Sequence, residues 1–282
     1  MAGSVSNIGW VSVLRIFKVP GAAHDAGMMH IFTDFFAQAG WPLALAVLGV
    51  FLLAGFVKGC IGLGMPTVAV GLLSMAMPAP EAAALLVVPA IITNIWQMAS
   101  GGHFRALLRR LAALLLSICL GTALGVWGLS GVSDAGASHL LGAALLCYAA
   151  IGLSPLKLRV PPRQEGWLGA VCGTVTGLIT AVTGVFVLPS VPYLQALGLD
   201  RNALVQAMGI SFMVSTLAMA GGLAYGGVLG ASEMGASVLA LAPALLGMWA
   251  GQSLRQRISE KTFKRGFFIA LALLGINLLL KG

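Results

Sequence analysis

From Trp41 onward the chain alternates long apolar runs with short polar connections, and the runs lack the two-residue alternation of strands. At 1.5 Å of rise per residue, a helix of roughly 20 apolar residues crosses a hydrocarbon core. The runs therefore predict helices; a closed membrane barrel would read as short alternating strands instead. Ten hydrophobic segments follow: about 42 to 57, 60 to 77, 82 to 99, 107 to 129 and 138 to 153, then about 166 to 180, 183 to 198, 202 to 224, 233 to 253 and 264 to 280. The first two of each five are short and broken by glycine, which suits either a thin crossing or a re-entrant hairpin.

Composition agrees with that pattern. Of 282 residues, 59% are hydrophobic and 9% charged, and the mean hydropathy of +0.99 lies far from that of soluble domains. The net charge of +8 would suit a nucleic-acid partner if it were spread over a surface. Here the basic residues cluster in a few connections, as membrane orientation requires, so the expected partner is the lipid bilayer and not nucleic acid. Cys60, Cys119, Cys147 and Cys172 lie in or beside apolar runs without C-x-x-C spacing and read as free thiols. His24, His30, His103 and His139 are dispersed, and no metal or cofactor motif appears. Residues 1–40 read as an extension: Ile8 to Val19 is apolar but carries Arg15 and Lys18, and Met28 or Met29 would open a shorter product beginning with an interfacial helix over 29–39.

The ten segments divide into related halves. Gly55 to Gly59 aligns with Gly173 to Gly177, and Pro80-Glu81-Ala82 with Leu199-Asp200-Arg201, an offset of 118 to 119 positions. This gives a first repeat over 41–155, a basic cytoplasmic linker over 156–165 and a second repeat over 166–282. Loop charge orients them. Arg105, Arg109 and Arg110 follow the third segment, and Lys157, Arg159 and Arg163 join the halves, two crossings later, so both groups face the cytoplasm. In the second half Tyr225 to Glu233 has no Lys or Arg, whereas Arg255, Arg257, Lys261, Lys264 and Arg265 fill the following loop. Equivalent loops fall on opposite sides, as in inverted repeats that exchange conformations around a central site. The predicted fold is an all-α integral membrane protein with two inverted-topology repeats of about five short hydrophobic segments each, and broken or re-entrant helices at the centre.

Candidate chemistry gathers at those breaks. Gly59, Gly62, Gly64, Pro66 and Thr67 interrupt an apolar segment, and free N–H groups at the start of the next half-helix attract anions. In the second half Thr176-Gly177, Thr180, Thr183, Gly184 and Pro189 hold the matching place. Glycines at four-residue spacing also serve close helix packing, and both roles stay open for each one. Lys58 is a cation beside the first break, suited to neutralising a bound anion or to reaching the interface from a helix end. Asn94 and Gln97, with Thr93 at the edge of their face, can donate amide hydrogen bonds to an oxyanion or to neighbouring helices. Gln206, Ser211 and Ser215 hold related positions in the second half. Glu81 and Asp200 open the two third segments and read as N-caps more readily than as proton-coupling carboxylates.

Gly55 to Pro66, Thr180 to Pro192 with Tyr193-Leu194-Gln195-Ala196-Leu197-Gly198-Leu199-Asp200, and Gly209-Ile210-Ser211-Phe212 resemble the TauE/SafE family of sulfite and sulfonate exporters over nearly everything after residue 40. The resemblance implies a multi-pass permease of the bacterial plasma membrane that exports a small sulfur-containing anion such as sulfite, a sulfonate or thiosulfate, without a cofactor. Met65-Pro66 and Thr183-Gly184-Val185 depart from the family's richer glycine clusters and leave the anion unassigned. The candidate substrate-binding residues are Lys58, Gly59, Gly62, Gly64, Thr67, Asn94, Gln97, Thr180, Thr183, Gly184 and Ser211. Coupling to protons or to the membrane potential, and a homodimer, are compatible with the sequence.

Three other readings compete. An anion channel or a structural membrane subunit would use the same helices and polar breaks. An intramembrane serine protease would use Gly128-Leu129-Ser130-Gly131, but a nucleophilic serine needs a base within reach, and His139 is the nearest histidine, at the outer end of the next segment.

Overall fold

The computed structural model describes residues 40–129, 131–155, 158–255 and 259–281; the helix expected over 29–39 lies outside them. Among the described residues all regular structure is helical. In chain order the helices are α1 (Trp41–Ile61), α2 (Met65–Leu73), α3 (Ala79–Ala99), α4 (Phe104–Arg110), α5 (Ala112–Gly128), α6 (Asp134–Leu153), α7 (Glu165–Thr183), α8 (Ser190–Ala196), α9 (Arg201–Tyr225), α10 (Ala231–Leu254) and α11 (Glu260–Lys281). Seven are long and apolar enough to cross a membrane, and an eighth span results if α4 and α5 count as one. Those two were expected as a single segment, yet they meet at 62°. Arg105, Arg109 and Arg110 are exposed on α4, and the bend at Leu111 keeps them from following α5 into hydrocarbon, where each charge would cost a few kcal/mol.

The molecule is apolar outside and selectively polar inside. Leu116, Trp127, Trp249 and Leu280 are exposed, whereas Lys58, Thr93, Asn94, Gln97, Thr176 and Gln206 are buried. Lipid solvates the former, and burial of the latter obliges them to find partners.

Both expected breaks exist, but each falls later than the glycines first suggest. Helix α1 runs through Gly55 and Gly59 and stops at Gly62, whose left-handed φ of 78° turns its N–H onto the Lys58 carbonyl at 2.7 Å. Gly64, at φ 100°, then aims the chain into α2, with Pro66 in its first turn. Helix α7 likewise passes Thr176-Gly177 and ends at Gly184, φ 69°, whose N–H reaches the Thr180 carbonyl at 2.9 Å. Helices α2 and α8, nine and seven residues long, rise only about 14 and 11 Å and cannot cross alone. The α7–α8 pair returns to the side it began on, because the Tyr193 hydroxyl on α8 donates to the Glu165 carbonyl at the start of α7, at 2.7 Å.

The earlier glycines serve packing. A Cβ on Gly55 or Gly59 would strike the Ala244 or Met248 carbonyl of α10, and one on Gly247 or Gly251 would strike the Leu52 or Phe56 carbonyl of α1. Helices α5 and α7 meet the same way, Gly177 on the Ile118 carbonyl and Gly121 on that of Thr174. Small residues permit such contact in lipid, where no hydrophobic effect presses helices together.

Exchanging the halves leaves the packing pattern unchanged: α1 on α10 becomes α7 on α5, and α3 on α10 becomes α9 on α5. Gly62 corresponds to Gly184 and the helix start at Pro78 to that at Asp200, each pair 122 positions apart. The sequence offset of 118 to 119 is one helical turn short, because glycines four apart align equally well after a one-turn slip. Counterparts also meet head to tail. Along α3 and α9, Asn94 meets Thr216, the Gln97 side chain packs on Gly209, and Gln206 reaches Gly101. Along α6 and α11, Gly142 packs on Gly275 and Tyr148 on Phe268.

Three polar details keep this frame closed. Pro89 inside α3 cannot donate to the Leu85 carbonyl, and the Ser237 hydroxyl of α10 does so at 2.8 Å while accepting the Val88 N–H at 2.9 Å. Arg110 forms a forked pair with Glu165, at 2.9 and 2.7 Å, and donates to the Leu197 carbonyl at 3.1 Å. Asp200 caps α9 by accepting the Ala203 N–H at 3.0 Å. Glu81 lies inside the first turn of α3, behind the cap position at Pro78, and so differs from the expected N-cap.

Candidate functional site

The last turn of α1 carries Lys58 into the interior instead of leaving it between segments. Its Nζ donates to Asn94 Oδ1 at 2.6 Å and to Thr93 Oγ1 at 2.9 Å, both on α3. Asn94 Nδ2 in turn donates to Thr216 Oγ1 on α9 at 3.3 Å, and the Thr216 hydroxyl donates to the Phe212 carbonyl at 2.7 Å. Three helices from both halves thus join one hydrogen-bonded chain that begins at the ammonium group. Its two acceptors are neutral, and among the described residues no carboxylate pairs with it. An ammonium offers three donors, so one N–H remains after Thr93 and Asn94.

The first break wraps this group. Gln97 Nε2 donates to the Gly62 carbonyl at 2.6 Å, and the Thr67 hydroxyl donates to that of Gly64 at 2.8 Å, fixing the turn between α1 and α2. Gln97 Oε1 is buried with no hydrogen-bond partner. No acceptor meets the first-turn N–H groups of Met65 and Thr67 among the described residues. Lys58, Gly64 and Asn94 line a tight pocket with Phe186 of the second break and Phe212 of α9, and a water-sized sphere does not fit inside it. The two rings close one wall, their centroids 5.5 Å apart.

At the second break, side-chain hydroxyls take part of the backbone hydrogen bonding. Thr176 Oγ1 accepts the Ser190 N–H at 3.1 Å, Thr183 Oγ1 accepts the Val185 N–H at 3.2 Å, and Ser190 Oγ donates to the Phe186 carbonyl at 2.8 Å. Thr180 and Gly184 line a different cavity of about 320 Å³, with Thr122, Asp134 and Tyr225, at the end opposite the basic segments. The folding therefore brings Lys58, Gly62, Gly64, Thr67, Asn94 and Gln97 together. Thr180, Thr183 and Gly184 lie at the other break, and Gly59 faces α10. Ser211 and Ser215 are buried on α9 without hydrogen-bond partners. Gln206 ties down the turn after α3, bonding the Met98 and Gly101 carbonyls at 2.7 and 2.8 Å and the His103 N–H at 2.9 Å.

Sequence reasoning missed Thr216, Phe186 and Phe212. Thr216 was within reach: at the 122-residue register it stands opposite Asn94, its hydrogen-bond partner. The aromatic pair left no comparable signal, since a phenylalanine in an apolar run looks like any other core residue.

A family model described as sulfite exporter TauE/SafE matches residues 47–278. The chain belongs to the TauE/SafE family. No curated protein and no solved structure gives a match. The family match runs from α1 to α11 and takes in both breaks and the Lys58 cluster. At the family level a TauE/SafE protein is a membrane transporter of sulfur-containing anions, not an enzyme. Of the protease reading, Ser130 lies outside the described residues and His139 is exposed on α6.

Proposed function

We propose that this TauE/SafE protein exports a small sulfur oxyanion, sulfite, a sulfonate or thiosulfate, across the bacterial plasma membrane by alternating access, with Lys58 as the counter-charge of the bound anion. The observation that carries this reading is the buried ammonium group held only by neutral oxygens, where both halves meet beside a broken helix. A buried charge is expensive without an opposite partner, and a transported anion supplies one for part of the cycle. Sulfite or a sulfonate would take the remaining Lys58 N–H and the first-turn amides of Met65 and Thr67. Rotation of the Asn94 amide away from Thr216 would add a further donor.

The head-to-tail pairing of α3 with α9 and of α6 with α11 supports inverted repeats over 41–155 and 166–282, joined by the basic linker 156–165. Exchange of conformation between the repeats would open the pocket first toward the basic, cytoplasmic end and then toward the end carrying Thr180 and Tyr225. The Phe186–Phe212 wall would part in one of these steps. Because no carboxylate joins the cluster among the described residues, the driving force is the inside-negative potential, which favours anion exit by about 2.3 kcal/mol per charge at 100 mV.

Counterflow in liposomes reconstituted with the purified protein tests the proposal. Saturable exchange of radiolabelled sulfite against unlabelled sulfite, abolished in Lys58→Met, is expected. Unsaturable conductance would make the protein a channel, and no flux of any sulfur anion would remove the transport reading.

A further inference from the structure

A cavity of about 410 Å³ opens at the basic end, separate from the Lys58 pocket. Its walls come from the end of α1, α6, the linker between the halves, α8 and the start of α11. Arg159 and Lys264 bring positive charge from two different elements, Gln195 adds an amide, and none of the described residues lining it is acidic. Tyr148 lines it as well. That side chain is 2% exposed, packs edge-on to Phe268 at 5.2 Å between centroids, and its hydroxyl has no hydrogen-bond partner. A buried hydroxyl without a partner costs about 1–3 kcal/mol, so its retention in a cavity that two cations also line points to a ligand that completes it. Apolar side chains, among them Leu63 and Phe268, form much of the remaining wall.

Leu63 lines both this cavity and the tight pocket around Lys58. It belongs to the two-glycine turn, between Gly62 and Gly64, so a change in that turn would move the side chain common to both linings. We infer that the basic-end cavity is a loading site for organic sulfonates, in which Arg159, Lys264 and the Tyr148 hydroxyl hold the sulfonate group while the carbon substituent lies on the apolar wall, and that Leu63 is the barrier between this site and Lys58. The inference rests on the transport reading above and adds a second, earlier station for the same substrate. A volume of about 410 Å³ far exceeds inorganic sulfite and is within the range of small-molecule pockets, which is why an organic sulfonate fits better than the bare ion.

Equilibrium binding of radiolabelled ethanesulfonate to the purified full chain in lipid nanodiscs separates this site from the Lys58 pocket. In phosphatidylcholine nanodiscs the doubly substituted Arg159→Ala, Lys264→Ala protein should bind at least roughly tenfold more weakly, and Tyr148→Phe about threefold more weakly. Lys58→Met should lose counterflow and any sulfonate held at Lys58, while the binding component that the Arg159→Ala, Lys264→Ala protein loses stays within about twofold. Melting temperatures measured alongside show that each variant is folded, and Lys264→Gln replaces the alanine variant if it is not. Unchanged affinity in the double variant, with loss in Lys58→Met, would overturn the loading site and leave the transport proposal standing. Binding that disappears when phosphatidylglycerol replaces phosphatidylcholine would overturn it in favour of a lipid headgroup site. No ethanesulfonate binding in any lipid would also overturn it, whereas sulfite counterflow would still report on the Lys58 reading.

Discussion

The two breaks occupy equivalent places in a repeated frame and are built from different chemistry. At the first, left-handed Gly62 and Gly64 flank Leu63, the Met65 and Thr67 amides have no acceptor among the described residues, and Lys58 points inward. At the second, a single left-handed glycine, Gly184, ends the helix, and threonine hydroxyls take the Val185 and Ser190 amides. The caps make Lys58 and Thr180 counterparts, since Gly62 bonds the carbonyl of one and Gly184 that of the other. The backbone device, a helix stopped in mid-protein by a glycine, is therefore present at both breaks, while the charge stands at one only. A single small anion needs one cation.

Three substitutions probe that asymmetry. The largest effect is expected from Lys58→Met, which should lower sulfite counterflow about 100-fold, equivalent to about 2.7 kcal/mol, whereas Thr180→Val should lower it less than about fivefold. Equal losses would mean that both breaks bind the anion. Asn94→Asp places a permanent carboxylate on the lysine, 2.6 Å away in the parent, and should raise the KM for sulfite by roughly tenfold or more by occupying the counter-charge. A KM below the parent value would mean that Lys58 does not meet the anion.

Backbone effects come next and are read by thermal unfolding in detergent. Gly64→Ala combines φ 100° with a Cβ 2.9 Å from the Phe267 ring and should cost about 2–3 kcal/mol, while Gly62→Ala, φ 78° with only Gln97 Nε2 in ordinary contact at 3.9 Å, should cost about 1–2. The reverse order would show that crowding at α11 is relieved easily. A cost like that of Gly62→Ala, about 1–2 kcal/mol, is expected of Ser237→Ala, which leaves the Leu85 carbonyl orphaned beside Pro89, with transport KM unchanged.

Much of this was legible before any coordinates. All ten apolar segments correspond to helices, because long apolar runs have few solutions in lipid, and both breaks lie within the windows that glycine, threonine and proline marked. What failed was register. Gly59 opens the window marked as a break, yet with Gly55 it is a packing surface, and only the partner helix, with its Ala244 and Met248 carbonyls against them, decides between the two roles that four-residue spacing leaves open. The same one-turn ambiguity set the halves at 118 to 119 instead of 122 and hid Thr216 behind Ser211 and Ser215. Lys58, Asn94 and Gln97 were legible as rare polar groups in apolar runs. That they bond one another and the Gly62 carbonyl was not, since it depends on how α1 and α3 approach in space.

The transport reading stands on Lys58 acting as an anion's counter-charge, and binding of radiolabelled sulfite to the protein in neutral nanodiscs measures this without requiring turnover. Wild-type protein should give a saturable isotherm that weakens at least roughly tenfold, about 1.4 kcal/mol, in a folded Lys58→Met variant. Equal affinity in the two proteins would contradict it.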